Sequence, residues 1–123
     1  MYMVSIMIAD DSAATRQILK NIIATTGHNL VAEAKDGLET IEKIKSVKPD
    51  LLLLDYAMPK KNGLEVLTEI RGINSAKVIM ITASDQQDLI RDCSQMGVSA
   101  YVVKPFNENL VSKAISAVAK TIV

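Results

Sequence analysis

Short apolar runs alternate with helix-like stretches along the whole chain, and four of these runs lead directly into charged or hydroxyl residues. Run 4–9 precedes Asp10 and Asp11, run 51–54 precedes Asp55, run 78–81 precedes Thr82, and run 101–103 precedes Lys104. Apolar runs of this length are typical of buried strands in a parallel sheet. Because ligands of open α/β sheets bind outside the carboxyl ends of the strands, the sequence predicts a site at that edge.

The alternation predicts five consecutive βα units. The predicted strands cover residues 4–9, 29–34, 51–55, 77–82 and 100–104, and the predicted helices cover 12–26, 37–46, 63–72, 85–96 and 108–122. We therefore expect a single α/β domain, residues 1–123, built as a doubly wound five-stranded parallel sheet with helices on both faces. The second strand mixes polar with apolar residues, so it is expected at a sheet edge.

Several helix ends carry recognisable capping signals. Asp36 and Asn62 are each followed three residues later by a glutamate, which predicts a capping box at the start of a helix. Asn107 is predicted to cap the last helix. Glycines are predicted to stop three of the helices, at Gly27, Gly72 and Gly97.

Composition excludes several classes of protein. Fourteen basic and fourteen acidic residues give no net charge, which argues against a general nucleic-acid or membrane-surface binder. The sequence contains neither a signal-peptide pattern nor an apolar run of about 18 residues, so we expect a cytoplasmic monomer. The only cysteine, Cys93, cannot form an internal disulfide and is expected to pack in the core, whereas His28 is expected at the surface.

The strand-end residues predict a specific chemistry. Asp10, Asp11 and Asp55 converge if the first and third strands are neighbours, and three adjacent carboxylates need a cation or a shared proton to offset their repulsion. An all-oxygen site of this kind suits Mg²⁺. Lys104 and Thr82 supply an ammonium and a hydroxyl for phosphoryl oxygens, and an aspartate carboxylate is itself able to act as a nucleophile that forms an aspartyl phosphate.

Four motifs follow one another along the chain: Asp10-Asp11, the segment from Asp55 to Gly63, Thr82-Ala83 and Lys104-Pro105-Phe106. In this order and spacing, they resemble the receiver domain of two-component response regulators. The resemblance covers essentially the whole chain and implies a flavodoxin-like sheet of strand order 2-1-3-4-5. It makes Asp55 the phosphoacceptor and Asp11 a direct Mg²⁺ ligand. Asp10 then acts mainly through metal-bound water, and the main-chain carbonyl of Ala57 completes the protein's share of the metal shell.

The resemblance also assigns roles on the other strands. It implies that Thr82 and Lys104 bind phosphoryl oxygens and that the Lys104–Pro105 peptide bond is cis. Tyr101 matches the switch aromatic of the family, although a tyrosine near a sheet edge also commonly does no more than half-bury its ring. Receivers vary at the positions of Ala57 and Ser84, so the lifetime of the phosphoryl group stays open.

The function implied by the resemblance is a phosphorylation switch rather than an enzyme, although the domain assists its own phosphotransfer and autodephosphorylation. A sensor histidine kinase donates the phosphoryl group, and a partner protein then binds the surface formed by helix 85–96, strand 100–104 and helix 108–122. Among stand-alone receivers the chain is most similar to chemotaxis regulators, which bind a motility-switch component. The alternative in the same class is a phosphorelay intermediate that passes the phosphoryl group to a second histidine protein.

Two other classes use related parts. Aspartate-nucleophile phosphatases need a second aspartate two residues after the first, where this chain has Ala57. Flavin-binding proteins of the same topology need a phosphate-cradling, hydroxyl-rich loop after the first strand, where this chain has Asp10 and Asp11. The sequence disfavours both classes.

Overall fold

The computed structural model describes residues 3–122 and contains five parallel strands that alternate with five helices. The strands are β1 (Ser5–Ala9), β2 (Asn29–Ala34), β3 (Leu51–Leu54), β4 (Lys77–Thr82) and β5 (Ala100–Val103). The helices are α1 (Ala13–Thr26), α2 (Gly37–Val47), α3 (Gly63–Ile70), α4 (Gln87–Gln95) and α5 (Glu108–Ile122). The strand order β2-β1-β3-β4-β5 confirms the predicted fold. Residues 1, 2 and 123 of the predicted domain lie outside the described residues.

The sheet is buried on both faces, which is why its central strands are almost wholly apolar. Successive side chains of β3 point to opposite faces, so Leu51 and Leu53 pack with α1 and α5, whereas Leu52 and Leu54 pack with α2 and α3. The edge strand β2 is largely exposed, as predicted from its mixed composition. No helix within residues 3–122 has the length and apolar character needed to cross a membrane.

The strand register brings the ends of the central strands together. Ala9 of β1 lies opposite Leu54 of β3, and Thr82 of β4 lies opposite Val103 of β5. The Asp55 amide donates to the Ala9 carbonyl at 2.9 Å, and the Lys104 amide donates to the Thr82 carbonyl at 2.9 Å. The polar residues that follow the strands therefore leave the sheet at one edge.

Most of the predicted helix ends are confirmed, and three differ. Asn62 and Glu65 form the full capping box, and the Asn107 side chain accepts the Leu110 amide at 2.8 Å. Asp36 accepts the Glu39 amide, but the Glu39 carboxylate accepts from Lys35 instead of the cap residue, so only half of that predicted box forms.

The prediction that Gly72 ends α3 is wrong, because the helix stops at Ile70 and Arg71 caps it in a right-handed conformation. The other two predicted glycine stops hold. Gly27 and Gly97 follow their helices at φ angles of +80° and +84°, a region that favours glycine. Helix α4 is also shorter than predicted, since Asp85 and Gln86 precede its first residue, Gln87.

Candidate functional site

Three carboxylates meet at the carboxyl edge of the sheet. One side-chain oxygen each from Asp10, Asp11 and Asp55 lies within 4.8 Å of the others. Asp10 and Asp55 are buried, at 1% and 5% exposed, whereas Asp11 faces solvent. The structure therefore brings together the three acidic residues predicted from the strand ends, with one of them open to an incoming ion.

Lys104 bridges the two buried carboxylates. Its Nζ donates to Asp10 Oδ2 at 2.8 Å and lies 3.4 Å from Asp55 Oδ2. Burial acts to lower the pKa of the Lys104 ammonium, but the hydrogen bond to Asp10 and the negative charges of both aspartates outweigh it, so the pKa of Lys104 is raised. Lys104 therefore carries a full positive charge inside the site.

The Asp55 carboxyl has a raised pKa. Burial raises it most, and the nearby Asp10 charge adds to the effect, while the Lys104 charge and a hydrogen bond with the buried Thr82 hydroxyl oppose it. The lysine alone therefore leaves the ionised Asp55 incompletely stabilised. A second cation beside Asp55 would favour the ionised carboxylate.

The two neighbouring aspartates of the loop after β1 have different surroundings. Both oxygens of Asp10 are engaged, since Oδ1 accepts the Ser12 amide at 2.9 Å and Oδ2 accepts from Lys104. The Asp11 carboxylate makes no hydrogen bond to any residue in the described range 3–122. An all-oxygen donor set with one solvent-facing carboxylate fits Mg²⁺, which retains several of its waters when it binds.

We expect millimolar Mg²⁺ to raise the melting temperature of the protein, because a cation relieves the repulsion among the three carboxylates. Asp11→Ala should remove most of this response, and Asp88→Ala, at an exposed acidic residue of α4, should leave it intact. Thermal unfolding at a series of Mg²⁺ concentrations measures the effect. An unchanged titration in Asp11→Ala would place the cation elsewhere.

The loop between β3 and α3 is held by its own backbone. The Gly63 amide donates to the Tyr56 carbonyl at 2.8 Å, and the Gly37 amide at the start of α2 donates to the Pro59 carbonyl at 3.2 Å. Ala57 lies exposed in this loop, two residues after Asp55. The main-chain carbonyl of Ala57 therefore belongs to a loop that is hydrogen-bonded to the first residues of both α2 and α3.

Tyr101 and the loop after β5 occupy the other side of the site. The Tyr101 ring is half-buried, and its hydroxyl donates to the Ser84 carbonyl at 2.8 Å, which ties β5 to the loop after β4. The Lys104–Pro105 peptide bond is cis, as the resemblance implies.

Two residues outside the site also test the sequence interpretation. Cys93 is buried, as predicted, and is the only fully buried residue of α4. His28 is partly exposed, in keeping with the expected surface position, and its Nδ1 accepts the Val4 amide at 3.2 Å.

Sequence reasoning missed Arg16. Its Nη1 donates to the carbonyl oxygen of Asp10 at 2.8 Å, so a basic residue of α1 contacts the loop that carries the acidic pair. The available signal was its place on the first turns of the predicted helix, six residues after Asp10, on the side that packs near β2.

One surface cleft lies away from this chemistry. It has a volume of about 590 Å³ and lies at the opposite edge of the sheet, between the segments that contain Lys48, Asn74 and Thr121.

Comparison with known proteins identifies close similarities. The model of the response regulator receiver domain family matches residues 6–116. The chemotaxis protein CheY of Listeria monocytogenes serovar 1/2a is 40% identical over 119 residues, which span 96% of this chain and 100% of that protein. The Bacillus subtilis chemotaxis protein CheY is 39% identical over 112 residues, 90% of this chain and 93% of that protein.

Solved structures agree with the sequence comparisons. The signal receiver domain of the putative response regulator NarL from Mycobacterium tuberculosis has a TM-score of 0.90 and 29% identity, with 98% of each chain covered. CheY in a CheX–CheY complex with beryllofluoride and magnesium from Borrelia burgdorferi has a TM-score of 0.88 and 32% identity, with 94% of this chain and 88% of that chain covered.

Proposed function

Because the chain belongs to the response regulator receiver domain family, we propose that Asp55 accepts a phosphoryl group from the phosphohistidine of a sensor kinase. The phosphorylated protein then binds a downstream protein. Two-component signalling follows from the family, whereas the acceptor, the metal ligands and the partner surface are our proposals. The observation that supports them best is the buried Asp55 carboxylate beside Asp10, Asp11 and Lys104.

The proposed step is an in-line phosphoryl transfer. An Asp55 carboxylate oxygen forms a bond to phosphorus as the phosphorus–nitrogen bond of the phosphohistidine breaks, and the leaving imidazole keeps the electron pair. Lys104 and the Thr82 hydroxyl bind the remaining phosphoryl oxygens. Both groups already lie against the Asp55 carboxylate, so little reorganisation is needed.

Mg²⁺ would be held by Asp11 and Asp55 directly, by Asp10 through water, and by the main-chain carbonyl of Ala57. When bound, it supplies charge that stabilises the phosphoryl oxygens of the transition state. The engagement of both Asp10 oxygens with Ser12 and Lys104, and the open carboxylate of Asp11, support this division of roles.

Chemotaxis is the pathway we favour, with a motility-switch component as the partner. This rests on the relatives of Listeria and Bacillus, which are chemotaxis proteins and match this chain along nearly their whole length. The alternative is a phosphorelay intermediate. The alternative would be favoured if phosphorylated Asp55 transferred its phosphoryl group to a histidine phosphotransfer protein faster than the group is lost by hydrolysis.

The proposed acceptor activity is tested by incubating the protein with phosphoramidate and Mg²⁺, followed by intact-mass measurement. We expect one phosphoryl group per chain, none when the metal is chelated, and faster labelling by a cognate histidine kinase than by the small donor. Absence of labelling with every donor in the presence of Mg²⁺ would contradict the proposal.

The output surface is proposed to comprise α4, β5 and α5, with Tyr101 as its switch. A cavity of about 200 Å³ beside Tyr101, lined in part by Ile90 and Cys93, leaves space for repacking between α4 and β5. The coupling between phosphorylation and this surface is limited by the free-energy difference between the two ring placements, about 1–3 kcal/mol.

We expect beryllofluoride, a phosphoryl mimic, to shift the amide resonances of Tyr101 and its neighbours on that surface far more than those of α2. The reason is that the Thr82 hydroxyl would exchange its hydrogen bond with the Asp55 carboxylate for one to the bound mimic, and this displacement changes the space next to the Tyr101 ring. Amide chemical shifts with and without beryllofluoride and Mg²⁺ measure the effect. Shifts confined to the residues around Asp55 would exclude this route of signalling.

A further inference from the structure

Arg16 connects helix α1 to both the acidic loop and the sheet edge. Its Nη1 donates to the Asp10 carbonyl at 2.8 Å, and its Nε donates to Glu33 Oε1 on β2 at 2.8 Å. Only 17% of the Arg16 side chain is exposed. One planar guanidinium therefore donates to two acceptors at once, a geometry that a lysine cannot reproduce.

With the contact to Arg16, the amide, the carbonyl and both carboxylate oxygens of Asp10 are hydrogen-bonded. The Asp10 amide donates to the Ala34 carbonyl at 3.1 Å, and the two carboxylate oxygens accept from Ser12 and Lys104. The Asp10 carbonyl, which belongs to the peptide bond that leads into Asp11, is held by Arg16. The orientation of this peptide plane sets the direction in which Asp11 leaves the strand.

From these contacts we infer that Arg16 is a positioning residue for the metal site, which holds the Asp10–Asp11 peptide so that the Asp11 carboxylate points at the cation. The inference rests on the proposed function of the acidic site. Asp11 needs such support because its carboxylate makes no hydrogen bond within the described residues 3–122. Groups that orient metal ligands typically change metal affinity 10–100-fold when they are mutated.

The positive charge of Arg16 is balanced by Glu33 of β2, which is not one of the proposed metal ligands. Glu33 accepts from Arg16 through Oε1 and pairs with Lys20 Nζ through Oε2 at 2.5 Å. The hydrogen bond from Lys20 holds the pKa of Glu33 below its usual range against the effect of burial, and Arg16 adds to this, so Glu33 stays ionised. A neutralised guanidinium orients the loop with less repulsion toward an incoming cation.

Two variants of Arg16 separate positioning from simple electrostatics. Arg16→Lys keeps the charge but cannot bind both acceptors, and Arg16→Gln removes a positive charge near the site. Electrostatics alone predicts that Arg16→Gln binds Mg²⁺ more tightly, whereas positioning predicts weaker binding in both variants. We expect the Mg²⁺ dissociation constant to rise about tenfold or more in each.

The measurement is an amide chemical-shift titration with MgCl₂, together with the melting temperature in the absence of metal. Lys20→Gln is the matched control, because it removes the other cation paired with Glu33 without touching Asp10. We expect its Mg²⁺ dissociation constant to stay within about twofold of the wild-type value. A purely structural Arg16 would lower the metal-free melting temperature and leave the dissociation constant unchanged.

An Asp11→Ala arm keeps this inference distinct from the proposed function. The metal site is supported if the wild-type protein binds Mg²⁺ and Asp11→Ala does not. If both Arg16 variants then bind Mg²⁺ as the wild type does, the proposed role of Arg16 is refuted, but the metal site is not. If wild-type protein fails to bind Mg²⁺, or Asp11→Ala binds it equally well, the proposed metal site itself is wrong.

Discussion

Asp55→Asn is expected to lose phosphoryl incorporation entirely while the fold is kept. The amide has nearly the same shape as the carboxylate, but it is not a nucleophile that forms an acyl phosphate. Asp55 is 5% exposed, and burial raises the pKa of its carboxyl, so removing the charge also removes a cost to the folded state. Intact-mass measurement after incubation with phosphoramidate and Mg²⁺ should show one phosphoryl group on the wild type and none on the variant.

Asp88→Asn is the matched control for this experiment. Asp88 lies on α4 with 85% of its side chain exposed, and its ion pair with Arg91 is at the surface. The control should be labelled like the wild type. Labelling of Asp55→Asn to the wild-type level would assign the acceptor to another residue and refute the proposed role of Asp55.

The second large effect is expected for Gly37→Ala, at the first position of α2. A Cβ built on Gly37 would lie 2.2 Å from the Lys61 carbonyl oxygen and 2.7 Å from the Lys61 carbonyl carbon. The clash involves backbone atoms, which cannot rotate away, and overpacking of this kind costs about 1–3 kcal/mol. Alanine gains about 1 kcal/mol over glycine inside a helix, so the steric term should win and the variant should unfold at lower denaturant.

Gly37→Ala should also affect Mg²⁺ binding, because α2 contacts the loop between β3 and α3. Gly37 donates to the Pro59 carbonyl, and Lys60 lies 3.4 Å from the Asp36 carboxylate, so α2 holds the loop that carries the Ala57 carbonyl. Displacement of this loop should weaken Mg²⁺ binding in parallel with the loss of stability, as measured by the chemical-shift titration.

Gly72→Ala provides the control for the glycine experiment. A Cβ at Gly72 meets no atom within 4 Å, and its backbone does not adopt a left-handed conformation. This variant should be neutral or stabilising by up to about 1 kcal/mol, because alanine restricts the unfolded chain. Equal stability of Gly37→Ala and wild type in urea unfolding would show that α2 can move away from the loop at no cost.

The sequence by itself determined the sheet and the acidic cluster. Apolar runs of four to six residues that alternate with helix-like stretches are typical of strands buried on both faces of a parallel α/β sheet, and such a sheet brings the carboxyl ends of its strands to one edge. Asp10 and Asp55 were therefore predictable as neighbours, since they directly follow the adjacent strands β1 and β3, and Lys104 was predictable at the same edge, since it directly follows β5.

Only the tertiary structure decided how these residues are held. The bond from Arg16 to the Asp10 carbonyl depends on how α1 packs over β1 and β2, and the contact of Gly37 with Lys61 joins two segments that share no local pattern. Strand periodicity and capping signals act over a few residues, whereas these contacts follow from the packing of whole elements. The physical reason is that a local pattern specifies which face of an element is buried, while the partner atom depends on the placement of the next element.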